Sequence, residues 1–358
     1  MGVSKGYKFM CKRFNILAVL FLLFYGCTNE EDILLESIRL EDYERQSFDK
    51  YLSSQDDRYF EILLDDKGEK NFMISNIDKL ICHDGHIYVL DWINRKIVVF
   101  DMNGQRKFVM SRRGRGPGEY LQISDFDIDD QGNIIVFDGQ QDCFLRYDHE
   151  GRWIDTYRSA YQVNAIKSTD KGIYFIGLAP WNNYKYKGHK ILTFDQMNNI
   201  RNASLKYDKA VDPNYTFTSP IFHECDTVIL YHQPIDDFVV VFNRKGKIIK
   251  KYFIDFGLNR VPDVIRSNIQ INREKLKEYS FLVKSIYIDN EKIIGSLMED
   301  KINDFIIDRK RKVMYVQESG EAKEWFTVGI SNGYIFFQNT QEIYNKEGKI
   351  KLRILPLE

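Results

Sequence analysis

Arg112, Arg113 and Arg115 are interleaved with Gly114, Gly116 and Gly118 and followed by Glu119. Three guanidinium forks beside backbone that glycine leaves uncovered could cradle an anion. The same run could instead be a structural loop, its glycines permitting a sharp crossover and Glu119 pairing with an arginine. A second group, Trp181 and Tyr184 in the run Trp181-Asn182-Asn183-Tyr184-Lys185-Tyr186-Lys187, offers flat apolar area with polar handles on which a sugar ring could stack. The chain holds 25 Phe and 22 Tyr, however, so most of its rings must serve the core.

Cys82-His83-Asp84-Gly85-His86 brings metal-ligating residue types close together. Asp84-Gly85 is also a strong hairpin signal, which would place the two histidines on opposite sides of a turn. No metal and no cofactor is therefore expected. His149, His189, His223 and His232 are scattered, and no Ser or Cys sits in a nucleophile elbow. Neither a triad nor a repeated histidine centre can be assembled, and catalysis is not indicated. Cys82, Cys143 and Cys225 match neither a disulfide framework nor a zinc knuckle, and they read as small buried hydrophobes.

The elements that would position these groups are set by a recurring phrase: a hydrophobic strand ending in Asp or Asn, then a short turn often closed by Gly. It ends at Asp101, Asp148, Asp195, Asn243, Asp308 and Asn345, at intervals of 47, 47, 48, 65 and 37 residues. A period of this size points to a propeller or solenoid. Asp or Asn can bond the backbone two residues on, and Gly supplies positive φ, so each phrase is expected to mark the hairpin between the outer strands of one unit. In the first unit, strands are expected over 76–82, 86–91, 96–101 and 105–110. In the second they are expected over 125–129, 133–138, 143–148 and 152–157. Four strands per unit make a propeller blade, so the spacing predicts an all-β, six-bladed β-propeller of four-stranded antiparallel blades. The long interval contains residues 259–278, read as a partly helical insertion. The run Tyr59-Phe60-Glu61-Ile62-Leu63-Leu64 precedes the first blade and is expected to pack on or close the ring.

The N-terminus has the parts of an export signal: Lys5, Lys8, Lys12 and Arg13, then an apolar run over 14–25, then Gly26. That run is about a dozen residues, short of the ~20 a membrane-spanning helix needs. Leu22-Leu23-Phe24-Tyr25-Gly26-Cys27 resembles the lipobox of bacterial lipoproteins, which implies lipidation at Cys27 and removal of what precedes it. A plain secretory signal with a chance Cys is the alternative. Thr28-Asn29-Glu30-Glu31-Asp32 resembles the acidic signal that sends some Gram-negative lipoproteins to the cell surface, although a solvated tether would look the same. The chain thus reads as a signal peptide over 1–26, a tether and N-terminal segment over 27–58, and a propeller domain over 59–358. Its 51 Lys and Arg nearly balance 52 Asp and Glu for a net charge of -1, which argues against a nucleic-acid partner.

With these phrases in view, the chain resembles the six-bladed propeller lipoproteins of Gram-negative bacteria, related to NHL-repeat and TolB-like propellers. The resemblance covers most of the mature chain. Its most specific piece is Gly114-Arg115-Gly116-Pro117-Gly118-Glu119-Tyr120, similar to the Gly-x-Gly-Pro-Gly-Glu-aromatic run that joins the first two blades in that family. His86-Ile87-Tyr88-Val89-Leu90-Asp91 is similar to the NHL phrase ending in Val-x-Asp, while blades three and five depart at the hairpin Gly. The resemblance implies a fold and no particular activity. The leading expectation is an outer-membrane lipoprotein, cell-surface exposed, that serves as a binding or protein-interaction module for a glycan, a peptide or an envelope protein. The alternatives are an extracytoplasmic hydrolase, lactonase or lyase with its site at the central channel mouth, and a structural subunit of an envelope complex.

Overall fold

Ile134 and Val136 join a core shared with the first blade, whereas Ile135 and Phe137 join one shared with the third. Successive side chains of a strand point to opposite faces. A central strand covered on both faces therefore becomes a continuous apolar run, and this arrangement repeats around a ring.

A computed structural model of the chain describes residues 33–65, 68–179, 182, 185–195, 199–207, 212, 221–225, 227–317, 325–339 and 350–357. The chain divides at Leu34 into a leading unit, almost all of it outside the described residues, and the unit Leu35–Glu358 that carries the fold. The N-terminal elements are β1 (Leu34–Arg39), β2 (Glu44–Ser47), α1 (Phe48–Ser53) and β3 (Phe60–Leu64). Blade one follows as β4 (Lys79–His83), β5 (His86–Asp91), β6 (Lys96–Asp101) and β7 (Arg106–Met110). Blade two is β8 (Asp125–Ile128), β9 (Ile134–Asp138), β10 (Cys143–Tyr147) and β11 (Trp153–Arg158). Blade three is β12 (Val163–Ser168), β13 (Ile173–Leu178), β14 (His189–Asp195) and β15 (Ile200–Lys206).

Blade four is β16 (Phe222–Cys225), β17 (Val228–Tyr231), β18 (Phe238–Asn243) and β19 (Ile248–Asp255). Blade five is β20 (Phe281–Ile288), β21 (Lys292–Met298), β22 (Ile302–Asp308) and β23 (Val313–Val316). Blade six begins with β24 (Trp325–Ser331), β25 (Tyr334–Asn339) and β26 (Ile350–Pro356). The first strands of the blades stand innermost, next to one another around the channel.

Six four-stranded antiparallel blades are therefore present, and the turn chemistry is the expected one. Asp101 Oδ1 accepts the N–H groups of Asn103 and Gln105 at 3.0 and 2.9 Å, and Asp148 Oδ1 those of Glu150 and Arg152 at 3.0 and 2.8 Å. Gly104 closes the first hairpin at φ 77°, and a Cβ there would lie 2.1 Å from the Leu63 carbonyl oxygen. Blade five lacks the glycine, and Lys312 takes the left-handed conformation instead, at φ 58°.

The fourth strand of blade six is β3, antiparallel to β26 with Ile62 opposite Leu352, so the N-terminal end closes the ring as expected. The sixth phrase, residues 343–348, lies outside the described residues. It falls in chain order between β25 and β26, the second and third strands of its blade, so it does not mark an outer hairpin as the other five do.

From Leu35 the N-terminal segment packs on the ring. β1 adds a fifth strand beside β19, and β2 pairs in parallel with β23, so blades four and five are five-stranded. Helix α1 buries Phe48, Tyr51 and Leu52 in the core of blades four to six, with the Phe48 ring edge-on to Phe337 at 6.2 Å. The insertion after β19 is helical in part, as α2 (Asp263–Arg266) and α3 (Arg273–Leu276), and its Val261, Ile265, Ile269 and Leu276 make a small core with Ile235 and Phe281.

Candidate functional site

The inner strands carry charges where a core would carry methyl groups, and opposite charges on neighbouring blades compensate one another. Lys79 of blade one meets Asp125 of blade two at 2.7 Å and donates to the Phe126 carbonyl at 2.7 Å. The other oxygen of Asp125 accepts the Ile166 N–H of blade three at 2.8 Å. Asp127 accepts the Ser168 N–H and hydroxyl at 2.6 and 2.9 Å. Lys167 lies 3.2 Å from Asp127 and 3.1 Å from Glu224 of blade four, and Arg244 continues the chain to Glu224 at 2.8 Å and Asp170 at 2.9 Å. Burial favours neutral Lys167, but the Asp127 and Glu224 carboxylates outweigh it and hold the ammonium firmly protonated. Lys79, Asp127, Lys167, Glu224 and Arg244 of this network, together with His83, His223 and Asn332, line a funnel of about 470 Å³ at the end of the channel where the first and second strands of the blades turn.

A second cavity, of about 300 Å³, lies between blades two and three, and Asp127 and Lys167 line it as well as the funnel. Its character is different. Phe144 and Tyr157 of blade two stack at 5.5 Å and 26°. Tyr174, Ile176 and Phe194 of blade three line the chamber as well, and Ser159, Ala160 and Tyr161 of the connection complete it. Burial raises the phenol of Tyr174 to about 12 and pushes Tyr157 and Tyr161 in the same direction, so all three keep their protons.

The residues singled out in the sequence fall elsewhere. The run from Arg112 to Glu119 crosses from blade one to blade two. There Arg112 donates to the Gly151 carbonyl at 3.2 Å, and Arg113 and Arg115 are exposed. Glu119 accepts the Gly116 N–H at 2.8 Å and makes no ion pair among the described residues. Its carboxylate sits over the glycine backbone, where a Cβ on Gly114 would meet it at 1.9 Å. The loop thus supplies its own anion. Cys27, Trp181 and Tyr184 lie outside the described residues. Beside the latter two, Asn182 is buried, bonding Gln162 and Ala179, and Tyr186 packs on Tyr161 of the chamber at 5.8 Å.

His83 and His86 do flank the Asp84-Gly85 turn, but they are directly opposed across β4 and β5 and so face the same way. They share an open groove with His149. Among the described residues no group of three His, Cys, Asp or Glu side chains is placed to hold a metal. His232 is enclosed, its ring nitrogens 3.1 and 3.2 Å from the Phe238 and Leu282 carbonyls. Cys82, Cys143 and Cys225 are buried in the blades, with the Cys225 thiol 3.6 Å from the Ile288 carbonyl.

The sequence reading missed Phe144, Tyr161 and Tyr174. Strand alternation tells which face a ring takes and not whether the gap beyond it is filled. The available signal was connection length. Residues 159–162 join blades two and three, where residues 111–124 join blades one and two and place Tyr120 and Ile123 into the gap between them.

No curated protein matches the chain in sequence. Among solved structures, a protein of Bacteroides fragilis NCTC 9343 named as a candidate exported protein superposes with a TM-score of 0.71 at 14% identity, over 90% of this chain and 99% of the other. A member of the DUF4221 family from Bacteroides vulgatus ATCC 8482 gives 0.53 at 13% identity, over 84% and 97%. At such identities these likenesses show the propeller fold alone. The family model described as domain of unknown function DUF4934 matches residues 68–352, from the approach to blade one into the last strand of blade six, and the chain belongs to that family.

Proposed function

We propose that this propeller is an extracytoplasmic binding module, held at the outer membrane by a lipid on Cys27, whose funnel takes a polar ligand, a glycan or a peptide. The observation that carries the reading is the funnel, about 470 Å³ and lined by charges that satisfy one another. Lys167, Glu224 and Arg244 are held in place before any ligand arrives, and such preorganisation favours recognition over proton transfer. The export signal, and a structural neighbour named as a candidate exported protein, support the location.

Glycan and peptide arrays probed with the purified protein test the reading. Arg244→Ala is expected to lose the selected ligand, while the exposed-loop variant Arg115→Ala keeps it. Ligands that bind both variants equally would reject the funnel, and turnover of a bound glycan would favour an enzyme. Incorporation of labelled palmitate, lost in Cys27→Ala, tests the anchor.

A further inference from the structure

The chamber between blades two and three stands independently of what the funnel binds. We infer that it is an aromatic cage for a small ligand with a trimethylammonium head, the chemistry shared by free choline and by a phosphocholine headgroup. Rings, charge and hydrogen bonding each point to that head.

Phe144 and Tyr157 of blade two, Tyr161 of the connection, and Tyr174 and Phe194 of blade three all line the chamber. Phe144 and Tyr157 stack at 5.5 Å, and Tyr161 and Phe194 stand 6.3 Å apart at 53°. Aromatic faces attract a cation within about 6 Å of the ring centroid, and a quaternary ammonium, its charge spread over methyl groups, suits a space enclosed by several of them. The adjoining ring of Tyr186 already carries the Lys185 ammonium at 5.3 Å. At about 300 Å³ the chamber is at the lower end of ligand cavities, which fits a small head.

The balance of charge favours a cation. The charges that bear on Tyr157 and Tyr174 are the carboxylates of Asp129, Asp130 and Asp155 and the guanidinium of Arg146. Arg146 is matched by Asp155, with its Nε at 3.2 Å. Asp129 is buried, and its carboxylate accepts three hydrogen bonds from Gln131 and Asn133 but makes no ion pair among the described residues. On the floor, Lys167 is matched by Asp127 and Glu224. Arg158 is opposite Cys143 in the pairing of β10 with β11, on the face of blade two that looks toward blade one. Negative charge is therefore in surplus around the rings, and the ammonium in the lining is already neutralised.

Hydrogen bonding excludes ligands that need many partners. Ser168 donates its hydroxyl to Asp127 at 2.9 Å, and Ser159 donates its own to the Tyr161 carbonyl at 2.8 Å. With Lys167 and Asp127 paired, the polar side chains of the floor are spent on one another. The hydroxyls of Tyr157, Tyr161 and Tyr174 make no hydrogen bond among the described residues, but three phenols are too few for a sugar's ring of hydroxyls. A trimethylammonium head has no N–H to satisfy.

Isothermal titration of the protein with choline, with phosphocholine and with 3,3-dimethyl-1-butanol, which has choline's shape without its charge, tests the assignment. Saturable one-to-one binding of a trimethylammonium compound is expected, with the neutral alcohol weaker by about tenfold or more. Tighter binding of choline marks a free cation as the ligand and tighter binding of phosphocholine a headgroup, and either order supports the cage. Tyr157→Phe keeps the ring face and should stay within about twofold of the parent, whereas Tyr157→Leu should lose about tenfold or more. Tyr174→Phe and Tyr174→Leu repeat the comparison if the first pair melts early. The proposal is overturned if neither trimethylammonium compound binds saturably at millimolar concentration, if the neutral alcohol binds as tightly as the better of them, or if the folded leucine variants bind like the parent.

Discussion

The gap between blades one and two and the gap between blades two and three are built from the same kind of strand, yet one is sealed and the other open. In the first, the long crossover turns back into the gap and leaves Tyr120 and Ile123 fully buried, with the phenol bonded to Met110 and receiving the Arg112 N–H at 3.2 Å. In the second, the short crossover does not fill the gap, and its Tyr161, with Tyr157 and Tyr174, surrounds a void. A propeller fixes how blades are arranged but not how fully each gap is filled. A change in connection length alone can therefore create a site without disturbing the ring.

Removing the plug should give the largest effect. Tyr120→Ala carves into the sealed gap and is expected to cost about 3–5 kcal/mol in urea unfolding. Tyr174→Ala, in the open gap, should cost about 1 kcal/mol. Similar losses at both sites would break the comparison.

Lys167 underlies the open gap and the funnel together. Lys167→Met leaves the buried Asp127 beside no cation, while Glu224 keeps Arg244, and should cost about 3 kcal/mol, again read by urea unfolding. A smaller loss would mean that water reaches the carboxylates.

The next gap round the ring, between blades three and four, is sealed partly by charge. Lys190 meets Asp236 at 2.6 Å, and burial, which alone would raise the carboxyl, is outweighed by that ammonium, so Asp236 is held below its ordinary value. Its contribution is fully present above the unfolded carboxyl value of about 3.9 and is lost as pH falls through the lower folded one. Stability should therefore decline on acidification below about pH 4, and Asp236→Asn should shrink that decline when the two are compared by thermal melts.

The smallest effect separates the hydroxyls. Tyr120→Phe removes a bond to Met110 and should cost about 1 kcal/mol, whereas Tyr157→Phe and Tyr174→Phe should each fall within about 0.5 kcal/mol of the parent.

Much of the ring was legible because its turns are chemical. Asp101, Asp148 and Asn243 each bind the backbone of their own hairpin, and that device leaves a residue-level trace. Ring closure was legible through Ile62 and Leu64, which keep strand alternation outside the blade count. β2 left no such trace. Its Glu44, Arg45, Gln46 and Ser47 are polar throughout, and it joins blade five by backbone pairing and an Arg45–Glu299 ion pair at 2.9 Å. The candidate site was less legible still. Arg112, Arg113 and Arg115 advertise an anion site by type, but Glu119 caps that backbone, and no sequence pattern states that a carboxylate four residues on will fold back over its own loop. Phe144 and Tyr174 look like any other alternating aromatic residue, because the width of the space they face is set by residues 159–162 and not by the strands themselves.

The most direct test is a crystal structure of the protein. An open chamber between blades two and three, beside a gap between blades one and two sealed by Tyr120 and Ile123, is the expected result. Blades two and three closed upon each other would contradict it.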